Sequence, residues 1–114
     1  MAVQDHLTVD VRQERDRVVL GLHGELDLAS APLLENEIEN ASNGTGAAVV
    51  LDLQELQFID STGLRIILSA HERAKQRGQD FALTRGSQQV QRLLSITGVG
   101  DHLRLIASPD AQFA

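Results

Sequence analysis

Residues 47–53, Ala-Ala-Val-Val-Leu-Asp-Leu, form an apolar run interrupted only by one aspartate. A strand with one wet face alternates apolar and polar residues, whereas a strand in a parallel sheet is covered on both faces and reads as an unbroken apolar stretch. The run therefore predicts a central parallel strand, and a parallel neighbour needs a crossover connection. The chain supplies one just upstream. Pro32 suits the first turn of a helix with Ser30 as its cap, and Leu33, Leu34, Glu37, Ile38 and Ala41 follow at helical spacing until Asn43-Gly44 stops them. Strand, helix and strand then make a right-handed crossover.

The same periodicities partition the rest of the chain. Residues 7–11 alternate, and residues 18–23 place Val18, Leu20 and Leu22 on one side, so the two runs predict a hairpin with Glu14-Arg15-Asp16-Arg17 as its turn. From Ser61 to Arg77, the residues Leu64, Ile67, Ala70, His71 and Ala74 fall on one helical face, and Gly78 closes the helix. A short strand over 81–84, an amphipathic helix over 87–96 closed near Gly98, and an edge strand over 103–106 complete the order ββαβαβαβ. This pattern predicts one α/β domain over residues 1–114, a mixed, mostly parallel sheet of about five strands with helices packed against it.

Composition narrows the function. Sixteen acidic residues against ten basic ones give a net charge of −6, with three Phe and no Trp or Tyr. Such a surface repels nucleic acid and anionic membranes and lacks the aromatic platforms that single strands stack on. There is no cysteine, which removes thiolate catalysis and cysteine-based zinc sites. No apolar stretch is long enough to span a bilayer, and residues 1–5 do not resemble a signal peptide, so a cytoplasmic location is expected. No glycine-rich phosphate loop is present and no cofactor is expected. With no long apolar stripe left over once the core is filled, the free protein should be a monomer.

The chemistry concentrates in Asp60-Ser61-Thr62-Gly63, where the central strand region opens the long helix. All three polar side chains can cap the free amides of a first turn. Glu25 and Asp27, in Gly24-Glu25-Leu26-Asp27, follow the strand expected to run parallel to the buried one, so their loop should emerge at the same end of the sheet. A hydroxyl and several carboxylates would then share a rim. An enzyme is not expected. Ser61 is not in a Gly-x-Ser-x-Gly elbow, and His71 lies ten residues along the same helix, roughly 15 Å away by helical rise. His6, His23 and His102 have no second ligand at a metal-binding spacing.

Gly24-Glu25-Leu26-Asp27, followed by Asp60-Ser61-Thr62-Gly63-Leu64 behind a buried strand, resembles the STAS domain of bacterial anti-sigma factor antagonists, over nearly the whole chain and in the same element order. The resemblance implies a phosphorylatable serine directly after the aspartate, Ser61, with Asp27, Asp60, Thr62 and Gly63 around it and Thr62 not the main acceptor. It also implies partner switching. The unmodified protein binds an anti-sigma factor that is also its serine kinase, which frees a sigma factor; phosphorylation breaks the complex and a serine phosphatase restores it. A STAS binding or scaffold subunit without a phosphoswitch, as in lipid-transport or stress-signalling complexes, is the alternative.

A phosphate at a helix start sits well against the helix dipole; Glu25, Asp27 and Asp60 repel it but are expected to turn into solvent, so the domain should tolerate it with little unfolding. Ser61, Arg65, Leu68 and Glu72 fall on one line down the helix. With Glu25 and Leu64 they make the candidate partner-binding surface, in which Leu68 either anchors the partner or simply widens the core face. Arg65 stands where glycine is common in the family, one turn from Ser61. After the last strand only a fraction of the terminal helix that the resemblance implies has room to form.

Overall fold

The computed structural model describes residues 2–43, 47–98 and 102–111. In chain order its elements are β1 (Ala2–Gln4), β2 (Leu7–Gln13), β3 (Arg17–Leu26), α1 (Ala31–Ser42), β4 (Ala48–Asp52), β5 (Leu56–Ile59), α2 (Ser61–Arg77), β6 (Phe81–Thr84), α3 (Gln88–Thr97) and β7 (Leu105–Ile106). The apolar run becomes β4, and its parallel partner is β3, with Val19 opposite Val50 and Leu20 opposite Leu51. Among the described residues the sheet has seven strands, in the order β1-β2-β3-β4-β6-β7, with β5 continuing alongside β3 beyond the end of β4. β1, β2 and β3 pair antiparallel; among the described residues every other pairing is parallel.

Two strands exceed the expected number, and both lack the signal that periodicity needs. β1 has three residues, too few for alternation. In β5 the buried positions are Leu56 and Ile59, with Gln57 and Phe58 exposed between them, so the apolar spacing is three and not the two of a strand. The hairpin turn is also shorter than expected, because Arg17 belongs to β3 and is buried. Gly44, expected to stop the first helix, and residues 112–114 lie outside the described residues.

Strict alternation sorts the strands' side chains into two clusters. Val18, Leu20 and Leu22 of β3, Val49 and Leu51 of β4, and Phe81 and Leu83 of β6 join residues of all three helices in the main core. Val19, Val50, Ala82 and Ile106 point the other way into a smaller cluster, with Ala111 packed against it. The helices therefore cover one face of the sheet, and the chain after β7 covers part of the other. Asp52, the polar interruption in the run, ends β4, where its carboxylate accepts hydrogen bonds from the Gln54 amide and the buried Thr84 hydroxyl, both at 3.1 Å.

Residues 107–111 form no helix. They are held across the open face by the Arg17 guanidinium, which donates to the carbonyls of Pro109 (2.9 Å) and Ala111 (2.7 Å). Asp16 pairs with the same guanidinium at 3.2 Å, and that hydrogen bond holds its carboxyl below the ordinary aspartate value. A depressed carboxyl stabilises the fold above its unfolded pKa, and the contribution disappears as pH falls through the folded value. Arg17→Ala should therefore loosen residues 107–111 to limited proteolysis and lower the unfolding free energy in urea by about 1.5–3 kcal/mol, the usual worth of hydrogen bonds to a charged group.

Candidate functional site

β3 and β5 end side by side, Leu26 opposite Ile59, and the loops leaving them are joined through Asp60. Its amide donates to the Leu26 carbonyl at 3.1 Å. One carboxylate oxygen accepts from the Gly63 amide at 2.9 Å, and the other accepts from the Leu28 amide at 3.2 Å. Asp60 has the extended backbone of an N-cap (φ −105°, ψ −178°), so a single carboxylate both caps α2 and clasps the β3–α1 loop. Ser61 is the first residue of the helix and is exposed. Among the described residues its hydroxyl has no hydrogen-bond partner. Capping, for which Ser61 was a candidate, is carried out by its neighbour.

The β3–α1 loop is also tied down by its own side chains. The Asp27 carboxylate accepts from the amides of Ala29 (3.0 Å) and Ser30 (3.1 Å). Ser30 is not the side-chain cap expected for α1. Its backbone is already helical, and its buried hydroxyl turns back into the loop, accepting from the Asp27 amide at 3.0 Å and lying 2.9 Å from the Glu25 carbonyl as a donor. Asp27 and Asp60 are thus anchored by backbone amides and half-buried. The expectation that they turn into solvent beside a phosphate is corrected for both. Glu25 lies within β3, not after it, opposite Phe58 of β5; its carboxylate has no partner among the described residues.

Two glycines set the position of this rim. At Gly24 the pairing of β3 with β5 shifts register, φ is +102°, and an added Cβ would collide with the His6 carbonyl, so only glycine fits this bulge. Gly63 lies in the first turn of α2, where an added Cβ would stand 2.6 Å from Leu26 Cγ and 3.1 Å from Ile59 Cγ1. The missing side chain lets the start of α2 settle directly on the ends of β3 and β5.

Ser61, Thr62, Gly63, Asp60, Asp27 and Glu25 therefore converge on one end of the sheet. The partner-surface residues divide. Arg65 and Glu72 are exposed on α2, but Leu64 is 5% exposed and belongs to the core, so its assignment to a partner surface is corrected. Leu68 is half-buried and packs against the core, as it would if it widened the buried stripe. Sequence reasoning passed over Leu28 (72% exposed) and Phe58 (39% exposed). Their signal was that neither falls in an amphipathic pattern. His71 packs its ring edge-on against Phe81, centroids 6.2 Å apart. Among the described residues, no three His, Cys, Asp or Glu side chains are grouped to hold a metal.

Replacing Asp60 tests the clasp. Asp60→Ala should lower stability by about 1–2 kcal/mol, whereas Asp60→Asn, which can still accept from Gly63 but loses its second acceptor, should cost less; urea denaturation of the two variants measures the difference. Gly63→Ala should cost about 1–3 kcal/mol by overpacking Leu26 and Ile59, read in the same way.

Comparison with known proteins agrees with this architecture. The STAS domain pattern matches residues 8–111. The anti-sigma-F factor antagonist RsfB of Mycobacterium tuberculosis is 31% identical over 108 residues, covering 95% of this chain and 88% of the relative. The anti-sigma-B factor antagonist of Bacillus subtilis is 29% identical over 105 residues, covering 92% and 95%. The crystal structure of an anti-sigma factor antagonist from Mycobacterium paratuberculosis superposes with a TM-score of 0.79 at 26% identity, covering 91% of this chain and 88% of that one. A central parallel strand, a serine at the start of the helix beyond it and an aspartate-bearing loop alongside are thus set in a domain whose pattern spans most of the chain, and the protein belongs to the STAS domain family.

Proposed function

We propose that this protein is an anti-sigma factor antagonist: unphosphorylated, it binds an anti-sigma factor that is also a serine kinase and so releases a sigma factor. Phosphorylation of Ser61 ends the binding, and a serine phosphatase restores it. The observation that carries this reading is the state of Ser61. Its hydroxyl is exposed at the first position of α2 and unengaged among the described residues, while the adjacent Asp60 does the capping. Relatives along nearly the whole chain are named as anti-sigma factor antagonists.

The local chemistry suits a reversible phosphate. The amides of Ser61 and Thr62 have no hydrogen-bond partner among the described residues, and they point along the positive end of the helix dipole. Arg65, exposed one turn further on, has no ion pair among the described residues and stands at the i+4 spacing from which a cation reaches an anion on its own helix. These groups keep the domain folded around a phosphate of about −1.5 to −2 charges. Asp27 and Asp60 cannot swing away to make room for it, since each is held by two amides. The added charge therefore accumulates on the outer surface of the rim, where a partner must sit. The switch acts on the interface and not on the fold, and the protein works in the cytoplasm with its kinase and phosphatase.

The test is to incubate the protein with ATP and a purified anti-sigma factor of the histidine-kinase-like ATPase type from the same genome. Phosphate should appear on Ser61 by mass spectrometry. Ser61→Ala should bind this partner as wild type does, and Ser61→Asp should bind about 1–3 kcal/mol more weakly in calorimetry, with the circular dichroism of the phosphorylated form unchanged. Equal binding by all three forms, with no phosphate incorporated, would move the protein to the STAS scaffold or transport-subunit class.

A further inference from the structure

Isolated apolar side chains on a surface need no explanation, but Leu28 and Phe58 are both exposed and both tied to one residue, Asp60, the first by a hydrogen bond and the second along the chain. The Leu28 amide is hydrogen-bonded to the Asp60 carboxylate, and Phe58 precedes Asp60 by two positions on β5. Leu28 is 72% exposed and adds almost nothing to the core. Its backbone is nonetheless among the most restrained on the rim, with its own amide held by Asp60 and the next two held by Asp27. A large apolar side chain presented on a pinned loop loses little entropy when a partner covers it, which is the property of a binding anchor.

We infer that Leu28, supported by Phe58, is the apolar anchor by which the anti-sigma factor grips this protein, in a hydrophobic pocket that closes beside Ser61. The inference deepens the proposed function and rests on it. The occupant is a different protein and not a second copy, because two copies meeting at this rim would bring Glu25, Asp27 and Asp60 of each against the same carboxylates of the other. A lipid surface with anionic headgroups is disfavoured by the same acids and by the net charge of −6. The anchor also accounts for release by phosphate: a contact that closes over Leu28 and Ser61 strips water from a phosphate of about −1.5 to −2 charges, which the single charge of Arg65 matches only in part.

The experiment measures calorimetric affinity for the same purified anti-sigma factor. Leu28→Ala should weaken binding about tenfold or more and Phe58→Ala a few-fold, with Leu28→Met near wild type. Ile96→Ala, a 75% exposed apolar residue on α3, should bind as wild type. The urea midpoint of Leu28→Ala should be unchanged. If Phe58→Ala, at 39% exposure, lowers the urea midpoint, Leu28→Lys alone carries the test, with a loss larger than that of Leu28→Ala. Because Leu28 and Ser61 share one dehydrated patch, Ser61→Asp should cost less in the Leu28→Ala background than in wild type, a coupling that a purely structural role would not produce. Wild-type affinity in Leu28→Ala, with Ser61→Asp still released, overturns the anchor and leaves the proposed function standing. No binding by wild type overturns both. Self-association in light scattering that Leu28→Ala abolishes would assign the anchor to a second copy and overturn the inference as stated.

Discussion

The Asp60 carboxylate is the contact on which the working end of this protein depends. One oxygen takes the Gly63 amide and starts α2; the other takes the Leu28 amide and draws the β3–α1 loop against that start. A neutral cap would serve the helix nearly as well, since Ser, Thr, Asn and Asp are all good caps. A carboxylate does more because it accepts on both oxygens, so the helix and the neighbouring loop are placed relative to each other by a single side chain. Ser61, the next residue, is thereby held in place while its own hydroxyl stays unengaged among the described residues.

That arrangement requires close approach of the backbone beneath it. Gly63 lets the first turn of α2 rest on Leu26 and Ile59, and Gly24 lets β3 change its register with β5 as it passes the His6 carbonyl. Both glycines stand within the sequence motifs at the rim. Their role is steric, and the chemistry belongs to the neighbours they bring together. The opposite face of the sheet follows a different logic: its small apolar cluster is covered in part by residues 107–111, which a buried arginine holds by their carbonyls. A guanidinium with several fixed donors suits this task, because a chain segment with no helix of its own leaves carbonyls that need partners.

The parts of this architecture that depend on periodicity are legible in the chain itself. The run over residues 47–53 marks a strand covered on both faces, and Val49, Val50 and Leu51 are fully buried on alternate sides. The stripe Leu64, Ile67, Ala70 and Ala74 marks the buried face of α2. Short elements escape such a reading, since β5 spaces its two buried residues as a helix would and β1 is only three residues long. At the site, the grouping of Asp27, Asp60 and Ser61 follows from two strands ending at the same edge. The differences lie in tertiary surroundings: Ser30 is not a side-chain cap, Leu64 is not a partner contact, and Arg17 is not part of a turn.

Sequence by itself thus determined the α/β layering, the parallel centre of the sheet and the polar cluster able to cap the long helix, because these depend on local periods of two and 3.6 residues and on which side chains can accept an amide. Only the tertiary structure decided that Asp60 and not Ser61 is the cap, that Asp27 and Asp60 are pinned while Glu25 is not, and that Leu28 is held out in solvent. The contacts that clasp the rim and the open face join donors and acceptors far apart in the chain, 32 positions for Asp60 with Leu28 and 92 for Arg17 with Pro109. A hydrogen bond is satisfied by whichever partner the closed chain places within about 3 Å, and that distance is a property of the fold, not of the spacing along the chain.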